Sequence, residues 1–432
     1  MTTRAVHPAS NPLRGAVEVP GDKSVSHRAL ILGALAEGAT RIENLAPGAD
    51  VAATRRCLEA LGVRVEAEGE TVVVHGRGLE ESLAPSPHAL DAQNSGTTTR
   101  LLMGVLSGQT FEAEITGDDS LRRRPMKRVA EPLRRMGAEI ELRDGEYSPV
   151  RIRGRRPLHA LRYELPVPSA QVKSALLLAS LFADEKSSVR DPFGTRDHTE
   201  RMLSAMTTSE GLSASGDRIT FRPTALHGGC SISVPRDVSS ASFFLAAAAL
   251  VEGSDVTLPG VGLNPTRTGF LEIIREMGGR VRASGRNEAE VEPRGTLRAR
   301  FSPLYGVRVE ARRLPALVDE VPVLAVLATQ AHGATRIEGA GELRVKESNR
   351  LEGVASNLRR MGARAEVQGD ALCVEGPTPL RGAEVDTTGD HRLAMAFAVA
   401  ALVAEGETVL SDARCVEVSY PGFFEDLEKL SS

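Results

Sequence analysis

Apolar and polar residues along this chain follow one long pattern that recurs. A polar start leads into an almost wholly apolar stretch of helical length, then an acidic or glycine turn, then a short strand. Six segments share it: KSVSHRALILGALAEGATRIE from Lys23, NSGTTTRLLMGVLSGQTFEAEI from Asn94, SAQVKSALLLASLFADEKSSVR from Ser169, DVSSASFFLAAAALVEGSDVTL from Asp237, DEVPVLAVLATQAHGATRIEG from Asp319 and GDHRLAMAFAVAALVAEGETVL from Gly389. They begin roughly 70 to 80 residues apart, longer than the period of most solenoids. Each apolar stretch is hydrophobic on nearly all sides, which predicts a helix buried within a domain.

After the strand, most copies show a second, amphipathic helix that closes on a glycine. Examples are DVAATRRCLEALGV, RRRPMKRVAEPLRRMGAEI, TRTGFLEIIREMGGRV and KESNRLEGVASNLRRMGARAEV. A glycine there suits a left-handed helix stop. The strands that follow, such as VRVEAEG and AEIELRDG, alternate apolar and polar residues, so one face packs and the other is solvated. Each unit therefore reads as helix, strand, helix, and two or more strands. Six units divide into three and three. The expected domains are residues 21–235 and, discontinuously, 1–20 plus 236–432. NPLRGAVEVP reads as a strand that pairs within the C-terminal half.

Composition narrows the function classes. A chain of 432 residues exceeds one ordinary core and favours two domains. The net charge of −4 argues against a nucleic-acid binder, and 3% aromatics without Trp leave no base-stacking platform. Four scattered cysteines, Cys57, Cys230, Cys373 and Cys415, show no CxxC or metal spacing, so reduced, mostly buried thiols and no structural metal are expected. MTTRAVHPAS has no apolar signal core, and no long uncharged apolar run is present. A cytoplasmic protein without membrane partners is the expectation.

The candidate chemistry lies at the six helix starts. The first N–H groups of a helix lack intrahelical partners and carry partial positive charge, which favours anions. The starts hold Lys23-Ser24, Asn94-Ser95-Gly96-Thr97, Ser169-Ala170-Gln171, Asp237-Val238-Ser239-Ser240, Asp319-Glu320 and His391-Arg392. N-capping explains Asp237 and Ser239. It does not explain Lys23, Arg28 and Arg392, because a cation opposes the dipole there; a bound anion would cancel that penalty. Loops before the second helices add Arg122, Arg123, Arg124, Arg196, Arg344, Lys346 and Arg350, and Arg forks suit phosphate or carboxylate. Neither GxxxxGK[ST] nor GxGxxG is present, so the anion is not a nucleotide held in the usual way.

Eight ordered motifs, PGDKSVSHR, LDAQNSGTTTR, RRRPM, PVPSAQVKSALLLA, RDHTERM, VDE, RVKESNR and GDHRLAMAFA, resemble those of the 5-enolpyruvylshikimate-3-phosphate synthase family of enolpyruvyl transferases. The resemblance runs from about residue 12 to 425. It implies a two-domain inverse α/β barrel of six repeated helix–strand units, with buried parallel helices, sheets outside, and the active site in a cleft. Anion-binding faces repel when empty and are drawn together by bound anions, so closure about hinges near Pro20 and Pro235 is expected. It also implies enolpyruvyl transfer from phosphoenolpyruvate to the 5-hydroxyl of shikimate 3-phosphate in chorismate biosynthesis. Two small anionic substrates, no cofactor and a monomer go with it.

By the same resemblance, Lys23, Asn94, Gly96, Thr97, Arg124, Gln171, Arg350 and Arg392 bind phosphoenolpyruvate. Lys23, Ser24, Arg28, Ser169, Ala170, Gln171, Arg196, Asp319 and Lys346 bind shikimate 3-phosphate, Ala170 through its backbone. Lys23, Asp319 and Glu347 are the catalytic candidates. Asp319 is placed to contact the 5-hydroxyl and Glu347 to shuttle the carbon-bound proton, with the division of acid and base among the three left open. His27 reads as a structural helix-start residue. One departure stands out: Val418, in EVSYPGFF, occupies a position where many members carry Lys. The related UDP-N-acetylglucosamine enolpyruvyl transferases differ by a Lys-Asn start and a loop cysteine; here Ser24 follows Lys23 and no Cys lies near Arg124. A non-catalytic anion-binding relative is the other alternative.

Overall fold

The six apolar stretches form six helices. They are α1 (Lys23–Leu35), α2 (Gly96–Ser107), α3 (Ala170–Ser180), α4 (Val238–Leu250), α5 (Val321–Gln330) and α6 (His391–Ala401). The computed structural model describes residues 2–81, 83–207, 211–288 and 290–431. It separates into two compact units, Gly21–Val234, and Met1–Pro20 with Pro235–Ser432. Pro235 thus lies with the discontinuous unit, one residue from the boundary expected. Its neighbours bind it there: Arg236 N donates to Gly260 O and Asp237 N to Pro20 O, at 2.9 and 2.8 Å.

In the unit 21–234, α1, α2 and α3 are buried beyond their first turns, with the half-buried Arg100 of α2 as the exception. Gly104 lets α2 and α3 touch, since a Cβ at that position would fall 2.2 Å from Ala175 O. Three four-stranded sheets surround them, and all share one topology. The first runs Ser231–Ser233, Glu37–Glu43, Thr71–Arg77, Arg64–Glu68; its outer pair is parallel and the others antiparallel. The same order recurs in Leu90–Asp91, Glu112–Thr116, Tyr147–Arg153, Glu139–Arg143 and in Arg162–Glu164, Ser187–Arg190, Arg218–Phe221, Leu212–Ser215. The lead strand of the first sheet comes from the end of the unit, so the chain returns to close on its own beginning.

The discontinuous unit repeats this plan around α4, α5 and α6. Arg14–Ala16 supplies the parallel lead strand beside Asp255–Gly262, followed by Arg294–Arg300 and Arg280–Asn287. The next sheet is Arg308–Val309, Gly333–Ile337, Ala371–Gly376, Arg364–Gln368. The sixth copy departs from the expected helix, strand, helix, strands. After Thr408–Leu410 the chain forms a 3₁₀ turn, Arg414–Val418, and a helix, Phe423–Ser431. Arg4–Val6 takes the antiparallel place beside Thr408–Leu410. Phe423 packs edge-on against Phe243 of α4, with ring centroids 5.9 Å apart, so aromatic packing holds the last segment where a hairpin would otherwise sit.

The amphipathic second helices stop as their glycines require. Gly62, Gly137, Gly278 and Gly362 all have positive φ. In each case the next residue donates back five positions, as from Val63 N to Leu58 O at 3.0 Å. This double closure satisfies the last carbonyls before the following strand begins. Of the four cysteines, Cys57 and Cys415 are buried and Cys230 and Cys373 half-buried; all are free thiols. No described helix is long and apolar enough to cross a membrane.

Candidate active site

Five of the six buried helices open on a short polar residue that caps its own backbone. Asp22 accepts from Val25 N at 2.9 Å in α1, Ser95 from Thr98 N at 3.1 Å in α2, and Ser169 from Val172 N at 3.3 Å in α3. Asp237 accepts from Ser239 N at 2.7 Å and Asp390 from Arg392 N at 2.9 Å. Helix α5 instead follows the 3₁₀ turn Val318–Glu320, which carries Asp319. Asp22 and Asp390 escaped the sequence reading, though they directly precede Lys23 and His391.

In the unit 21–234, side chains tie the three helix starts together. Lys23 Nζ lies 3.0 Å from Asp50 Oδ2, in the first turn of the helix Ala49–Ala60. That helix joins α2 through Thr54 Oγ1 and Thr98 Oγ1, 2.6 Å apart. Gln171 of α3 donates from Nε2 to Thr97 Oγ1 at 3.0 Å and accepts from Arg100 Nη1 at 2.7 Å. Arg28 of α1 donates to Ser174 Oγ and Thr199 Oγ1 at 2.7 and 2.8 Å, and to Ser24 O at 2.9 Å. Arg124 donates to Asn94 O and Oδ1 at 3.0 and 2.5 Å. Gly96 lies beneath these guanidinium groups: a Cβ there would fall 2.8 Å from Arg100 Nη1 and 3.4 Å from Arg124 Nη1.

Lys23, Ser24, Arg28, Asn94, Gly96, Thr97, Arg124, Ser169, Ala170 and Gln171 therefore converge on one end of this unit's core. Ser24, Asn94, Thr97, Ser169, Ala170 and Gln171 are half-buried. Arg196 is half-buried in the loop before the helix His198–Met206, the helix whose Thr199 meets Arg28. The carboxylate of Asp50 answers part of the electrostatic puzzle of Lys23, because it offsets the opposition between that cation and the α1 dipole. Its signal in the sequence was weak: an acid opening the DVAATRRCLEALGV segment, with nothing to mark its partner.

The discontinuous unit gathers its starts differently. Arg350, 1% exposed, donates from Nε to Asp390 Oδ2 at 2.8 Å and from Nη1 to Asp319 Oδ1 at 3.4 Å. Its Nη2 lies 2.5 Å from Glu347 Oε2. Ser348 donates to the same Asp390 oxygen at 2.9 Å. Arg392 donates to Asp319 O at 3.3 Å, with its Nε 3.8 Å from Asp319 Oδ1. Arg267 and Ser239 link α4 to Glu320, Arg267 donating to Ser239 Oγ at 2.6 Å and Ser239 to Glu320. Lys346 and Glu347 are half-buried just before the helix Arg350–Arg360.

The electrostatics of this cluster are those of paired charges. Burial works against the Arg350 cation, but Asp390, Glu347 and Asp319 outweigh it and raise its pKa, so the guanidinium stays charged. Burial pushes the Glu320 carboxyl up despite Arg267 and Arg392. Asp319, Glu347 and Arg392 thus stand in a preorganised network able to hold fixed charge and to exchange protons with a bound ligand. The starts of α1 to α3 carry the greater share of cations, whereas those of α4 to α6 balance cations with carboxylates.

His27 is fully enclosed, with Nδ1 2.7 Å from Thr54 Oγ1 and its Nε2 without a hydrogen-bond partner among the described residues. Burial, with help from Lys23 and Arg28, holds its pKa well below 6.5. The folded protein keeps this ring neutral where the unfolded chain protonates it. Stability from this source is therefore full above pH 6.5 and declines as the pH falls below it. Urea midpoints taken from about pH 7.5 to about pH 5 are expected to fall less steeply for His27→Gln than for the parent; equal slopes would remove His27 as the cause.

The family model of EPSP synthase (3-phosphoshikimate 1-carboxyvinyltransferase) matches residues 8–427. A 3-phosphoshikimate 1-carboxyvinyltransferase from Anaeromyxobacter sp. (strain Fw109-5) is 50% identical over 421 residues, 97% of this chain and 96% of that protein. Another, from Bacillus licheniformis, is 46% identical over 426 residues, covering 97% of each. Among solved structures, EPSP synthase from Acinetobacter baumannii aligns with a TM-score of 0.87 at 39% identity, over 100% of this chain and 98% of that one. The enolpyruvyl transferase NikO from Streptomyces tendae shares the fold, with a TM-score of 0.80 at 21% identity over 99% and 96% of the two chains. With a match of this extent on both sequence and fold, the chain belongs to the EPSP synthase (3-phosphoshikimate 1-carboxyvinyltransferase) family.

Proposed function

We propose that the protein transfers the enolpyruvyl group of phosphoenolpyruvate to the 5-hydroxyl of shikimate 3-phosphate and releases phosphate. Family membership supports the reaction. The observation that carries its assignment to residues is the Arg350 cluster: one buried cation holds Asp319 and Glu347 within 3.4 Å of its guanidinium nitrogens. Such a carboxylate pair, fixed but of different exposure, suits two proton transfers at neighbouring atoms.

The 5-hydroxyl oxygen attacks C2 of phosphoenolpyruvate while its proton leaves, with Asp319 as the contacting acceptor. The methylene carbon gains a proton and becomes a methyl group, giving a tetrahedral ketal. Loss of phosphate from the ketal is completed when that methyl group gives up a proton, and Glu347 is the group proposed to carry it. Lys23, Arg124, Arg350 and Arg392 supply positive charge for the phosphate and carboxylate of phosphoenolpyruvate, with Asn94, Gly96, Thr97 and Gln171 beside it. Lys23, Ser24, Arg28, Ser169, Ala170, Gln171, Arg196, Asp319 and Lys346 hold shikimate 3-phosphate. The expected setting is a cytoplasmic monomer that uses neither cofactor nor metal.

The test is phosphate release from purified protein mixed with phosphoenolpyruvate and shikimate 3-phosphate in the presence of a chelator. One phosphate per enolpyruvyl product is expected. Release only with UDP-N-acetylglucosamine as acceptor, or saturable binding of both substrates without release, would replace this reading.

A further inference from the structure

Lys173 lies in the second turn of α3, two residues beyond Gln171, and is 2% exposed. Its ammonium is surrounded by three acceptors: Asp191 Oδ2 at 2.9 Å, Thr195 O at 2.9 Å and Glu200 Oε1 at 2.7 Å. All three belong to the segment 191–200, which carries Arg196. Asp191 closes the same loop from within, accepting from Thr195 N at 2.9 Å, Thr195 Oγ1 at 2.7 Å and Phe193 N at 3.1 Å. The residue after Lys173 grips the far side of Arg196, where Thr199 Oγ1 donates to Ser174 Oγ at 2.7 Å. Two consecutive residues of α3 therefore hold the chain on both flanks of Arg196, one at Thr195 and the other at Thr199.

We propose that Lys173 is a positioning residue that sets Arg196 for the phosphate of shikimate 3-phosphate; this rests on the reading of the site given above. The geometry separates this role from that of an ordinary buried ion pair. A pair that served packing alone would need only its carboxylates, yet Lys173 also donates to the peptide oxygen immediately before Arg196. That bond fixes the peptide plane from which the Arg196 backbone continues. The charges involved fit a rigid mount: burial opposes the Lys173 cation, but Glu200 and Asp191 overcome it and raise its pKa. A guanidinium whose backbone is set in advance loses less freedom when it meets an anion.

Lys173→Met alone leaves two acids around an apolar tip, so the principal variant is Lys173→Met combined with Glu200→Gln. Thermal melting establishes that it is folded. Calorimetric titration then measures shikimate 3-phosphate against unphosphorylated shikimate, and steady-state rates give kcat and both KM values. The expected result is a loss of about 10- to 100-fold in affinity for shikimate 3-phosphate and a rise of about the same size in its KM. Binding of shikimate, kcat, and KM for phosphoenolpyruvate at saturating shikimate 3-phosphate should stay within about threefold. A folded variant with a lower melting point and unchanged affinity for shikimate 3-phosphate overturns the proposal. Equal losses toward both shikimate compounds overturn it too. Should the double variant not fold, Lys173→Gln with Glu200→Gln keeps a polar tip in the same space without the ammonium; its KM for shikimate 3-phosphate must then rise severalfold, and an unchanged value sinks the idea. Because binding is titrated directly, absence of turnover in the parent protein would count against the proposed reaction and not against the mount.

Discussion

Turnover of the Glu347→Gln variant is expected to fall about 100- to 10,000-fold, with both substrates still bound. Glu347 is half-buried and its Oε2 lies 2.5 Å from Arg350 Nη2. The Arg350 guanidinium is itself locked by Asp390 and Asp319, so it cannot swing away to release its partner. Glutamine keeps the length and shape of the side chain and can still present a carbonyl oxygen to Arg350. It cannot take up or deliver a proton. Single-turnover phosphate release, read beside titration of each substrate, separates these contributions. Exchange of the methylene hydrogens of phosphoenolpyruvate with solvent adds a direct view of the carbon-bound proton. Near-parental turnover would take Glu347 out of the mechanism.

Arg350→Met should cost about 3 to 5 kcal/mol of folding free energy, because it strands buried carboxylates that one cation had balanced. For a unit of this size that corresponds to a drop of about 10 °C in melting temperature. Methionine fills much of the volume, so packing loss is the smaller part and electrostatics the larger. Acid neutralises carboxylates, and the deficit relative to the parent should therefore shrink between about pH 8 and about pH 5. Melting curves of both proteins across that range provide the check. A deficit that does not change with pH would point to lost packing instead.

How far the sequence could be read depended on the range of the interaction. The stretch ALILGALAEG after His27 declares a buried helix by its lack of a polar side, and residues 25–35 are indeed enclosed. The stop at Gly62 is equally local, since a positive φ at the end of a helix favours glycine whatever lies around it. Lys23 was harder. Its place at a helix start raises an electrostatic question that a bound anion answers only in part. The tertiary structure supplies Asp50 as well, 27 residues away in sequence and 3.0 Å away in space. The sixth copy departs from the pattern for a similar reason. Nothing local in EVSYPGFF announces that its aromatic residues will pack on α4, or that Arg4–Val6 will fill the vacant strand position.

By itself, the order of residues determined the repeat, the identity of the six buried helices, their polar starts and the glycine stops, because these follow from periodicity and from backbone preferences within a few neighbours. Family membership was legible too, carried by motifs in fixed order. Only the tertiary structure decided which charges meet: Lys23 with Asp50, Lys173 with Asp191 and Glu200, and Arg350 with Asp319, Glu347 and Asp390. Most of these pairs join different elements of the fold, and a charge carries no mark of its partner along the chain. Burial then makes each pairing strong, since removal from water raises both the penalty for standing alone and the reward for being matched.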